Sequence, residues 1–196
     1  MAHRRTSEPA VRPVIWEQLK SQCRITDDQE QIYGEQLLDA ATQWVEEYTQ
    51  RALITQTWAL TMDGFYDCSY VTEDVIYVPR PPLLAVSTIV YLDANGTSTT
   101  LASTQYRVAT ASHPGRIEQA YGTLWPTTRG VIGDVVITHT AGYGAAASSV
   151  PVAIKQAIML LAAYWFVQRE AVGSMNSEVE FSVSSLLSRY TMEMYA

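Results

Sequence analysis

The sequence predicts an α+β fold: a small helical core of about three to four helices, interrupted by an antiparallel β module of about six strands. Three observations predict it. A long amphipathic helical period closes near Arg51, turn-punctuated strand patterns run from Trp58 to His139, and a far more apolar helical period opens at Pro151. Helices on either side of a β block must close one core around it, so the β block reads as an insertion. The division expected is an arm at 1–12, a discontinuous helical core at 13–56 and 150–190, a β module at 57–149, and a tail at 191–196.

Residues 1–12 carry Arg4, Arg5, Arg12 and Pro9 without an apolar period, and read as an arm ordered only by a partner. Pro13 suits the first position of a short helix running through Trp16 to Leu19. Thr26-Asp-Asp-Gln29 has the form of a capping box, with Asp27 and Asp28 at the positive end of the helix dipole. Leu37, Ala41, Trp44, Val45 and Tyr48 then share one helical face, with Glu30, Glu35, Asp39, Glu46 and Glu47 largely off it. One side of this helix is expected to pack and the other to present acid.

In the β module, Trp58, Leu60 and Met62 alternate with Ala59 and Thr61. Asp74 to Val78 is rich in β-branched and aromatic residues and is stopped by Pro79-Arg-Pro-Pro82. Val86 to Leu92 leads into Asp93-Ala-Asn95-Gly96, a hairpin turn. Tyr106–Val108, Arg116–Ile117 and Val135–His139 complete the set. From Pro151, Ile154, Ala157, Ile158, Leu161, Ala162 and Trp165 line one face, and Leu160, Tyr164 and Phe166 make the others apolar too. A helix apolar nearly all round is covered on most sides, here by its own domain and by a neighbouring subunit. Leu186-Leu187 with Arg189-Tyr190 suggests a last short helix.

Composition narrows the function. An apolar content of 47% over 196 residues supports a packed core. A net charge of −7 and a pI near 4.9 argue against gripping nucleic acid through its phosphates, though not against letting DNA slide past. Cys23 and Cys68 make neither a disulfide framework nor a zinc site. Arg4-Arg5 lacks the apolar stretch of a twin-arginine signal, and the run Ala157–Val167 is shorter than the roughly 20 residues that span a bilayer. The expectation is a soluble protein made in the cytoplasm, with no membrane partner.

Candidate chemistry fails on inspection. Gly142-Tyr-Gly144 follows a strand, but the next helix cannot open before about Pro151, too late to meet a pyrophosphate. His3, His113 and His139 have no metal-ligand spacing. Asp63, Asp67, Glu73 and Asp74 fit no calcium loop, and Asn95-Gly-Thr97 is a turn rather than a glycan site without export. No catalytic residue, metal or cofactor is predicted. Trp44, Trp58 and Trp165 sit at core-facing periods, and Trp16 and Trp125 read as core edges.

A series of phrases carries a resemblance. They are Gln18-Leu-Lys20, Cys23-Arg24-Ile25, Asp27-Asp28, Ala40-Ala41, Val45-Glu46 and Thr49-Gln-Arg51-Ala-Leu53 in the first half. Pro81-Pro82-Leu83, Val86, Tyr91-Leu-Asp93-Ala-Asn-Gly96, Tyr106, Trp125-Pro126 and Ala141-Gly142-Tyr143-Gly144 follow. Pro151, Ile154, Ala157-Ile158, Leu161, Arg169-Glu170, Leu186-Leu187 and Arg189-Tyr190 close the series. In order and spacing, over about residues 14–190, the chain resembles the head–tail connector (adaptor) proteins of tailed bacteriophages, in the group with a β insertion between helices. Cys23 departs from the larger aliphatic residue expected there.

The resemblance implies a ring, usually of twelve copies, below the portal of a DNA-filled head. Such a ring extends the DNA channel and docks the next neck or tail protein, placing the chain in the virion neck after assembly in the host cytoplasm. Its partners would be further copies of itself, the portal protein and the next neck or tail protein. DNA would pass without specific binding, since an acidic lining repels its backbone. On that basis Glu35, Asp39, Glu46 and Glu47 are candidates for the channel lining. Leu160, Tyr164 and Phe166 are candidates for subunit contact. Leu186, Leu187, Arg189, Tyr190, Met192, Met194 and Tyr195 are candidates for portal docking. Two other readings stay open. A β-sandwich binding module for carbohydrate or a host surface would expose Tyr66, Tyr70 and Tyr121, and an enzyme would need a site assembled in space.

Overall fold

The computed structural model describes residues 2–66, 71–72, 74–169 and 177–192. In chain order its elements are β1 (Ala2–Ser7), α1 (Trp16–Cys23), α2 (Gln31–Thr49), β2 (Gln56–Met62), β3 (Val71–Thr72) and β4 (Val75–Val78). There follow β5 (Leu83–Leu92), β6 (Ser98–Thr100), β7 (Tyr106–Ala109), β8 (Gly115–Gln119), β9 (Val135–Ala141), α3 (Val152–Val167) and α4 (Ser177–Leu187). The class is α+β. Two units separate: Met1–Ala10 with Thr55–Tyr143, and Val11–Ile54 with Gly144–Ala196.

The first unit holds two antiparallel sheets, ordered β1-β2-β9-β5-β6 and β3-β4-β8-β7. Along β2 and β9, buried residues alternate with half-buried ones, so Leu60, Met62, Val135 and Ile137 all enter one core. Ile76, Val78, Ile117, Ile89, Phe65 and Trp125 complete it, with the Phe65 and Trp125 rings stacked at 4.9 Å. The turn at Asp93 closes the β5–β6 hairpin. The Asp93 carboxylate accepts from the Asn95 and Thr97 amides at 2.9 Å, and Gly96 takes φ 83°, which a side chain would resist.

Residues 2–7 are not a free arm. They pair antiparallel to β2, from Ala2 opposite Thr61 to Ser7 opposite Thr57, with an irregularity between Arg5 and Ser7. The strand was hidden in the sequence because its half-buried positions, alternating with exposed Ala2, Arg4 and Thr6, are held by His3 and Arg5 rather than by apolar residues.

The second unit packs four helices. The Gln18 side chain accepts from the Ile15 amide at 3.1 Å at the start of α1, and Arg24 ends that helix at φ 55°. The capping box expected at Thr26 does not form. Asp28 is held instead by Trp16 Nε1 at 2.9 Å and Lys20 Nζ at 2.7 Å, Asp27 turns back to the Gln29 amide, and α2 opens only at Gln31. The buried face of α2 is Gly34, Leu38, Ala41, Val45 and Thr49, rotated from the expected one; Leu37 and Trp44 are half-buried and Tyr48 is exposed. Helix α3 buries Ile154, Ala157, Ile158, Leu161, Ala162 and Phe166, while Trp165 stays half-buried. Trp16 and Trp125 lie in core, as expected.

Candidate functional site

The acidic residues of α2 do not act as one set. Arg12 donates to both oxygens of Asp39, at 2.6 and 2.8 Å, and to Glu35 at 3.2 Å, so its guanidinium deprotonates even less readily than usual. Glu47 is exposed. Glu46, expected on the same surface, is only 6% exposed and accepts from the Leu53 amide at 2.9 Å. The chain leaves α2 through Gln50 at φ 54°, which folds residues 51–53 back over the last turn and onto that carboxylate. Glu46 therefore satisfies backbone inside the unit and is withdrawn from the channel-lining set.

The α3 set also divides. Leu160 and Tyr164 are half-buried, and Val167 beyond them is 75% exposed. Phe166 is core: its ring lies 6.3 Å from that of Trp16 and 5.9 Å from that of Tyr33. Arg169 sits over Phe166 and Tyr33 and pairs with Glu30 at 2.5 Å. A greasy position on a greasy helix carries no sequence signal that tells its own core from a neighbour's.

The C-terminal set is largely tied down. Leu187 is fully buried, with Val183 one turn before it. The Tyr190 amide donates to Leu187 at 2.8 Å, and the Tyr190 carbonyl accepts from Arg51 Nε at 2.5 Å. The Met192 amide reaches the Thr49 carbonyl at 3.3 Å. Leu186, Tyr190 and Met192 are half-buried and Arg189 is exposed, while Met194 and Tyr195 lie outside the described residues. Leu187 thus belongs to the core of its own unit rather than to a docking surface.

Sequence reasoning missed several exposed apolar side chains. In the helical unit these are Ile32, Val152, Val167 and Phe181, each more than 70% exposed. In the β unit Leu124 and Ile132 are exposed, as are Tyr66 and Tyr121, and the Asp63 carboxylate accepts from the Gly133 amide at 2.8 Å, which ties the loop after β2 to the loop before β9. Asp134 was also missed. It is buried and holds the Gly130 and Val131 amides, which fixes the loop entering β9. Tyr70, Asp67, Cys68 and Glu73 lie outside the described residues.

Of the histidines, His139 is fully buried and His3 half-buried. Among the described residues no three His, Cys, Asp or Glu side chains gather as metal ligands, and no helix is long and apolar enough to cross a membrane.

Residues 16–112 match the phage gp6-like head-tail connector proteins. Three solved structures resemble the chain along 100% of its length and 98% of theirs. The neck of an empty gene transfer agent (GTA) particle computed with C6 symmetry is 25% identical with a TM-score of 0.79. The virion of the native gene transfer agent particle gives the same values, and the neck of the native particle computed with C12 symmetry is 26% identical with a TM-score of 0.70. No curated protein matches it. Exposed apolar loops and helices go with a fold shared from end to end with virion neck subunits: the chain is similar to the phage head–tail connector proteins over residues 16–112, and to structural subunits of a virion neck over its whole length.

Proposed function

We propose that copies of this chain close into a ring below the portal of a DNA-filled head, extend the DNA channel, and offer the docking surface for the next neck or tail protein. The observation that carries this reading is the end-to-end likeness to neck chains from particles computed with C12 and C6 symmetry. Twelve copies is the expected number. A closed ring uses heterologous contacts, so each subunit must offer two different faces. Leu160 and Tyr164, with exposed Val167, supply apolar surface for one of them. Glu35, Asp39 and Glu47 face the DNA path, where their charge keeps the backbone from sticking. Leu186, Arg189, Tyr190 and Met192, continued by Met194 and Tyr195, dock to the portal. Assembly takes place in the host cytoplasm, and the role is non-enzymatic.

The test is electron microscopy of particles made without this protein. DNA-filled or leaking heads beside unattached tails, or tail-less heads, are the expected result. Normal joined virions would sink the reading.

A further inference from the structure

The β unit carries a cluster that its structural role does not use. His3 on β1 stacks on Trp58 of β2, with ring centroids 4.5 Å apart, and on His139 of β9, at 5.4 Å, the planes within 10° and 8° of parallel. His3 Nε2, Trp58 Nε1 and both His139 ring nitrogens are buried without a closed hydrogen bond. Two arginines approach the stack. Arg80, between β4 and β5, lies 5.3 Å from the Trp58 ring centroid, and Arg5 of β1 lies 6.0 Å from it. Arg5 pairs with Glu8 at 2.9 Å and donates to Gln56 at 3.3 Å. The stack thus holds two imidazoles face to face, and one of them rides on an edge strand with a neighbour on one side only.

We propose that β1 is an acid-released strand: protonation of the stacked His3–His139 pair detaches Ala2–Ser7 from the sheet and opens the edge of β2. Protonating both rings would place two like charges 5.4 Å apart, centroid to centroid, with His3 Nε2 buried and without a hydrogen-bond partner. The strand can leave without unfolding the rest, because β2 keeps its full pairing with β9, from Gln56 opposite Ala141 to Met62 opposite Val135. Leaving hydrates His3 and uncovers the face of His139 that His3 had covered.

The direction of the pH effect follows from the rings themselves. Burial, then His139 and Arg80, lower the His3 pKa from 6.5 to about 3. Burial lowers that of His139 to about 4, against the Ile137 and Pro79 carbonyls, which approach the ring and favour its proton. The closed state therefore binds fewer protons than the open one. The hold on β1 is complete above pH 6.5 and weakens as pH falls toward 4 and then 3. Each imidazole raises the open population by up to about tenfold per pH unit in that window.

Hydrogen exchange of the full chain read by mass spectrometry, corrected for intrinsic rates, tests this between pH 7.5 and 4. Protection of residues 2–7 should fall steeply, with up to second-order proton dependence, while β9 and α3 keep theirs. His3→Phe retains a stacking ring without the charge and should move the loss at least one pH unit lower. His139→Asn should do so as well, and His3→Phe at the exposed edge serves if that buried variant fails to fold. Loss of β1 only together with β9, or a wild-type pH profile in folded His3→Phe, overturns the proposal.

Discussion

At the scale of single residues, polar and small side chains inside the helical unit decide its geometry. Gly34 is buried where a Cβ would overlap the Trp16 ring. Alanine there gains up to about 1 kcal/mol of helix propensity. It must also displace an indole fixed by its hydrogen bond to Asp28, and overpacking of this kind costs about 1–3 kcal/mol. Gly34→Ala should therefore lower stability in urea denaturation; an unchanged or raised midpoint would show that the ring shifts freely. Glu46→Ala should cost a similar about 1–3 kcal/mol by stranding the Leu53 amide, whereas Glu46→Gln, which keeps an acceptor, should cost less in the same assay. Neither role was legible in the sequence. A helical wheel puts Glu46 on the flank of the buried stripe, and only the reversal at Gln50 brings a backbone donor to it.

At the scale of elements, β2 and β9 were legible from period-two burial, β5 from its β-branched and aromatic run, and the Asp93 hairpin from its turn chemistry, all local properties of the chain. The strand β1 was not, since its partner lies about fifty residues away and its half-buried side chains are polar. For α2 the existence was clear, but its facing was offset: Leu38 and Thr49 take the buried places expected of Leu37 and Tyr48. Aromatic size misled here, because Trp44 and Tyr48 satisfy each other by stacking at 5.0 Å on the flank of the helix. The segment following α4 separates core from surface. Leu187→Ala should lose about 2–5 kcal/mol of stability in thermal or urea melts. Arg189→Glu, at an exposed position, should leave the melt unchanged and weaken portal capture in a pull-down with the portal protein. A stable Leu187→Ala variant that loses portal binding would reverse that division.

At the scale of the whole molecule, the family and the class could be read from the order of short phrases, each weak alone. The individual contact residues could not. Phe166 and Leu187 look like surface anchors in sequence and are interior in space, because an apolar residue near the end of a helix carries no mark of which body covers it. The acidic set is tested at the scale of the proposed assembly. Neutralising them together as Glu35→Gln, Asp39→Asn and Glu47→Gln, which keeps acceptors for Arg12, should leave virions that join normally but eject DNA slowly or incompletely. Fluorescent-dye release in vitro would read that, and wild-type ejection would remove these residues from the DNA path.

The two units also impose a timetable on synthesis. Helices α1 and α2 leave the ribosome early, but α3, which supplies much of their core, is about a hundred residues behind them. Every strand of both sheets has been translated before α3 appears. The β unit can therefore complete itself while half of the helical unit waits with its apolar face open. A ribosome that stops between Ala141 and Val152 would release a chain with finished sheets and no helical core, a product that chaperones and proteases can remove before it joins an assembly. The last part to become competent is the unit that α3 and α4 complete.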